Sequence, residues 1–102
     1  MEINELQKKC ANMVSIIDKK LAINHDDSLS VLHLSEELGE VAREILNPKL
    51  KRDNINIKNL EEELADIIFF ISKIAENNKI DLEKAIIKKT MGHHTLKVFC
   101  HS

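Results

Sequence analysis

With 102 residues, 43% of them apolar and 31% charged, the chain has material for a modest core and too little polarity for a disordered polymer. Two Gly, one Pro and three aromatic residues, all Phe, leave long helices uninterrupted and argue against a β-rich fold. A formal charge of −2 and a pI near 6.2 give no electrostatic reason to expect nucleic-acid binding, and the longest apolar run, 67–71, is far too short to cross a membrane.

The hydrophobic period predicts four helices with short connections, an all-α four-helix bundle in which 1–102 form a single domain. The first helix runs from about Ile3 to Leu21, with Ile3, Leu6, Cys10, Met13, Val14, Ile17 and Leu21 on one stripe. A polar break at 24–28 follows, where Asp26, Asp27 or Ser28 can cap the next helix. That second helix runs from about Leu29 to Leu46 and is expected to turn Val31, Leu34, Leu38, Val41, Ala42 and Ile45 inward. Asn47-Pro48 is expected to end it, because the residue before proline avoids the α region. Lys49 to Ile57 reads as a polar, basic loop. The third helix, from about Lys58 to Asn77, is the most apolar; Asn77 and Asn78 mark its end, and Asp81 caps a fourth helix through Ile87 or beyond. A subunit of this size leaves apolar helix surface to cover, which predicts a homodimer or homotetramer. Cys10 and Cys100 form no metal-ligand or redox pattern, and two thiols without a secretory segment point to a reducing cytoplasm.

Two acidic clusters stand out, Glu36-Glu37-Leu38-Gly39-Glu40 and Glu61-Glu62-Glu63-Leu64-Ala65-Asp66. At about 100° per residue, Glu37 borders the apolar stripe of its helix beside Val41, with His33, Glu40 and Glu44 on the same flank. Glu63 lies in line with Ile67, Phe70 and Ile74, and Asp66 sits one step further out. Carboxylates at i and i+3 repel by a few tenths of a kcal/mol, and two such pairs facing each other across a bundle call for a cation. Hard divalent ions such as Mg²⁺ take oxygen ligands and act together with substrate phosphates. The competing reading is a solvated acidic face, which suits Glu61 and Glu62 in the first turn of their helix. Spacing alone leaves the two readings level for Glu37, Glu40, Glu63 and Asp66. Few cations are placed to relieve these acids: Arg43 is i+3 from Glu40, and Lys73 lies at the outer side of Asp66. Gly39, which costs about 1 kcal/mol relative to alanine inside a helix, is either a tolerated weak spot or a place of close approach for a helix or ligand.

Glu37-Leu38-Gly39-Glu40, followed after 22 residues by Glu63-Leu64-Ala65-Asp66 and then Ile67-Ile68-Phe69-Phe70, resembles the MazG-like family of all-α nucleoside triphosphate pyrophosphohydrolases, related in fold to the dimeric all-α dUTPases. The resemblance covers about Leu29 to Ile87 and rests on the paired E-x-x-E and E-x-x-D motifs. It implies that Glu37, Glu40, Glu63 and Asp66 coordinate Mg²⁺. It also implies that the substrate is a nucleoside triphosphate, noncanonical or deoxy forms included, cleaved to the monophosphate and pyrophosphate. Glu36 or Glu37 would accept the proton of the attacking water. Lys51 and Arg52 (with Lys49 beside them) and Lys88 and Lys89 are the cations that could bind the phosphates, although exposed lysines are usually just solvated. Without Trp or Tyr, base stacking would fall to Phe69, Phe70 or Phe99, the first two fitting the core better.

After Lys89 the chain departs from the family's fourth-helix pattern, and about 90–102 reads as an atypical tail in which Gly92 weakens the helix. His93, His94, Cys100 and His101 match no standard zinc spacing, and His25 and His33 read as structural or solvated. The departure keeps a rival reading open, a degenerate nucleotide-binding module without turnover or a helical oligomeric interaction module. A di-metal redox bundle is set aside, because its Glu-x-x-His motifs are absent.

Overall fold

Asx side chains take orphan backbone donors at the starts of three helices. Asp26 accepts from the Leu29 N–H at 2.9 Å, Asn56 from Asn59 at 3.1 Å and Asp81 from Lys84 at 3.1 Å. The helices are α1 (Ile3–Leu21), α2 (Asp27–Lys51), α3 (Ile57–Asn77) and α4 (Leu82–Met91). They come from a computed structural model that describes residues 2–92, with no strand among the described residues. The chain is therefore all-α, as expected. α3 packs against both α1 and α2, and α4 rests on α1. No helix among the described residues is long and apolar enough to cross a membrane.

Three helices close without glycine. Ala22, Arg52 and Lys79 take left-handed φ values of 54°, 57° and 56°. The next N–H in each case reaches back over the last turn: Ile23 to the Asp18 carbonyl (3.0 Å), Asp53 to Pro48 (2.7 Å) and Ile80 to Ala75 (2.8 Å). This is the Schellman arrangement.

The end of α2 corrects the sequence reading. The helix does not stop at Asn47-Pro48; it carries Pro48 within it and continues to Lys51. Proline removes one donor, the partner of the Glu44 carbonyl, and clashes locally. That loss falls in the final turns, and the Pro48 carbonyl then receives the closing bond from Asp53. Lys49 to Lys51 are thus helical, and Arg52 is the left-handed residue that closes the helix.

The interior is small and unusually polar. The buried apolar residues are Cys10, Ala11, Val14 and Ala75, and Gln7, Asp18, His25, Ser30 and Ser72 are buried with them. Gln7 ties the α3–α4 turn to α1, donating to Glu76 Oε2 and the Ile80 carbonyl (2.7 Å each) and accepting from the Leu82 N–H (2.9 Å). Asn77 and Asn78 donate to the Asp27 carboxylate, joining the end of α3 to the start of α2. The predicted apolar stripes are rotated. On α2, Leu34 and Val41 are half-buried, but Ala42 is exposed, as are Val31 (50%), Leu38 (58%) and Ile45 (39%). On α1, Ile3, Leu6, Met13, Ile17 and Leu21 are also exposed. Within one chain α3 draws the His33–Glu37–Glu44 edge of α2 toward itself, so that helix's apolar stripe faces away. Gly39 is exposed, and a Cβ built there meets nothing within 4 Å, so none of the described helices approaches it closely.

Candidate functional site: an acidic seam between α2 and α3

Helical spacing puts His33, Glu37, Glu40 and Glu44 along one edge of α2, all half-buried, and this edge meets the face of α3 that carries Glu63, Ile67 and Phe70. Glu63 is half-buried, and its Oε2 is fully buried with no hydrogen-bond partner. Burial pushes the Glu63 carboxyl above its ordinary range, and Glu44, Glu40 and Glu37 push it further against the opposing charge of Arg43. Glu37 is raised in the same way, first by burial, then by Asp66, Glu40 and Glu36, with His33 opposing. The four motif acids thus share one electrostatic neighbourhood. Among the described residues their one direct counter-charge is Arg43, which pairs with Glu40 at a solvated position. Lys73 is engaged elsewhere, donating to Ser15 Oγ on α1 (3.0 Å).

The other sequence-derived candidates are exposed, two of them at the rim of the seam and the cations away from it. Glu36 and Asp66 are exposed, Glu36 outside the packed edge and Asp66 at the mouth of a cavity of about 180 Å³. Met13, Val14, Ile17, Phe69 and Phe70 give that cavity apolar walls, with Asp18 and His25 as its other polar residues. Lys51, Arg52, Lys88 and Lys89 are exposed at the end of α2 and on α4, and none is among the leading influences on Glu37 or Glu63. Thr90 and Met91 still belong to α4; His93, His94, Phe99, Cys100 and His101 lie outside the described residues. Among the described residues no three His, Cys, Asp or Glu side chains are gathered closely enough to hold a metal ion.

Sequence reasoning passed over a hydrogen-bonded array beside the seam. Asp18 accepts from the His25 backbone N–H with Oδ2 and meets His25 Nδ1 with Oδ1, both at 2.6 Å. His25 Nε2 in turn lies 2.7 Å from His33 Nδ1. Phe70 packs against both imidazoles, with centroids 5.5 and 5.4 Å away. One signal was available: Asp18 falls at i+4 from Val14 and i+8 from Cys10, in line with the buried stripe of α1.

Fold and seam define a class, an all-α protein in which an E-x-x-E helix packs against an E-x-x-D helix. Residues 25–97 match the MazG nucleotide pyrophosphohydrolase domain, and the chain belongs to that family. The match runs past Lys89, beyond the stretch on which the sequence motifs rest. The chain is also similar to the uncharacterized protein YpjD of Bacillus subtilis (strain 168), with 40% identity over 55 residues, 51% of this chain and 50% of YpjD. It therefore spans about half the length of that curated relative. No solved structure matches. The activity the domain suggests is nucleotide pyrophosphohydrolysis.

A carboxyl raised in the folded state destabilises the fold while ionised, and that penalty fades as pH falls through the raised value toward the ordinary 4.5. Glu63→Gln is therefore expected to melt higher than wild type in EDTA at pH 7, with the gap closing as the pH is lowered toward 4.5. Melting curves across that range check this; a variant that melts lower at neutral pH would show that the Glu63 carboxylate is satisfied.

Proposed function

We propose that the chain is a Mg²⁺-dependent nucleoside triphosphate pyrophosphohydrolase that releases a nucleoside monophosphate and pyrophosphate. The observation that carries this reading is the buried, unpartnered Oε2 of Glu63 among acids that raise one another's proton affinity. A donor set of oxygens alone, short of positive charge, suits a hard divalent ion. Glu37, Glu40, Glu63 and Asp66 would hold it. Bound there, Mg²⁺ would neutralise phosphate charge and lower the pKa of a water.

The chain's own residues would do the rest. Lys51, Arg52, Lys88 and Lys89 are proposed to bind the phosphates, and their exposure suits a polyanion arriving from solvent. The apolar cavity beside Asp66 offers the nucleoside a place out of water. Of the two carboxylates expected to accept the water's proton, Glu37 is at the seam and Glu36 is exposed, which favours Glu37 where no other base is at hand.

Assembly as a homodimer or homotetramer is part of the same proposal. Val31, Leu38 and Ile45 recur every seven residues along the exposed side of α2, an apolar line that a second copy would cover. The buried thiol of Cys10 is compatible with the reducing cytoplasm proposed for the chain. The rival, a module that binds nucleotide without turnover, draws support from the lack of a gathered three-ligand cluster among the described residues.

Pyrophosphate release from a panel of standard and modified NTPs and dNTPs, with Mg²⁺ and with EDTA, separates the two readings. The expected result is Mg²⁺-dependent release, reduced in Glu63→Ala by at least the roughly 10–100-fold that loss of outer-shell support to a metal costs. Nucleotide binding without pyrophosphate would favour the rival. For assembly, Leu38→Glu is expected to sediment as a monomer under conditions where wild type is a dimer or larger; a wild-type monomer would refute the proposed assembly.

A further inference from the structure

The exposed apolar line of α2 is symmetric about its middle. Val31 and Ile45 stand seven residues to either side of Leu38, and all three are exposed. At about 100° per residue, Asp27 and Lys49 fall on the same line, eleven residues before and after Leu38, and both are exposed. Among the described residues Asp27 receives only the neutral amides of Asn77 (3.2 Å) and Asn78 (2.8 Å), and Lys49 enters no ion pair. Asp26 and Asp27 also line an open polar hollow with Asn24 and Asn77, two carboxylates with no cation on its walls. Lys51 and Arg52 follow Lys49, so the end of α2 is as basic as its start is acidic. The helix dipole favours that distribution in any helix; the placing of Asp27 and Lys49 at equal distances along the apolar line is a separate feature.

A twofold axis can join this face to itself in two ways. Parallel packing sets Asp27 against Asp27 and Lys49 against Lys49 and aligns the two helix dipoles, all of it repulsive. Antiparallel packing about an axis at Leu38 brings together residues equally far before and after it, each contact being made twice. Val31 then meets Ile45, Leu34 meets Ala42, and Asp27 meets Lys49. At ~1.5 Å per residue the ionic contacts lie about 16 Å to either side of the axis. They rim an apolar centre, the usual anatomy of a subunit interface.

We infer that the exposed face of α2 docks on the same face of a second copy of this chain, antiparallel about Leu38, with Asp27 of each copy paired to Lys49 of the other. This rests on the assembly proposed above and adds its direction and register. The same register turns the basic end of α2 in one copy, Arg52 included, toward the acidic hollow at the start of α2 in the other.

Engineered cysteines report the register. In a Cys100→Ser background, with Cys10 buried, Val31→Cys and Ile45→Cys proteins are mixed under reducing conditions, left to exchange subunits and then mildly oxidised. Facing positions across a helix pair lie within disulfide reach, so the expected product is a linked dimer containing one of each, while either variant alone stays unlinked. Sedimentation of charge variants checks the ionic ends. Lys49→Asp and Asp27→Lys should each raise the dimer dissociation constant roughly tenfold, and the double reversal should recover most of the loss, the response of paired charges. Lys49→Asp, at an exposed position, serves alone with the crosslinks if Asp27→Lys does not fold. Crosslinking of each cysteine variant to itself, or a double reversal as weak as the summed singles, would overturn the inference and leave the assembly standing. A wild-type monomer would overturn both and leave the face to a different protein. Neither readout uses pyrophosphate release, so the catalytic reading stands or falls separately.

Discussion

Helices α2 and α3 must pack on each other, yet the edges that meet carry Glu37, Glu40, Glu44 and Glu63, with one solvated Arg43 as direct counter-charge among the described residues. Packing of this kind is sustained by what surrounds it: Phe70 against the two imidazoles, Asn77 and Asn78 on Asp27, and the capped start of α2. The seam itself withholds stability. A carboxylate oxygen covered without a partner costs stability, and a functional site is where such a cost is commonly retained.

The same constraint explains how the apolar surface is distributed. Turning the acidic edge of α2 toward α3 turns Val31, Leu38 and Ile45 outward. The core left within one chain is correspondingly thin and rests on small residues and satisfied polar groups, Gln7 and His25 above all. The acidic seam and the open apolar line are two sides of one orientation of α2, the second being the surface proposed for a further copy.

Much of this was legible in the sequence, because helix existence and capping are local matters. The span of α1, the Asn pair at the end of α3 and the Asp81 cap all appear as expected, and Asp26 proved to be the cap among three candidates. The alignment of Glu63 with Ile67, Phe70 and Ile74 also holds, since all four are half-buried. The orientation of α2 was not legible, because periodicity marks an apolar stripe without saying whether the same chain or another copy covers it. Pro48 misled because its cost depends on how near the helix end it falls. The Asp18–His25–His33 array was hidden for a different reason. It joins residues from two helices and a connection, and each of them alone reads as an ordinary polar side chain.

A divalent cation is proposed to complete the seam. Thermal unfolding of the metal-free protein across a Mg²⁺ titration tests it directly, since an ion that binds only the folded chain raises the midpoint with the logarithm of its concentration. Wild type should climb steadily, while Glu63→Gln should stay flat. A wild-type midpoint indifferent to Mg²⁺, or an equal rise in both proteins, would contradict the account.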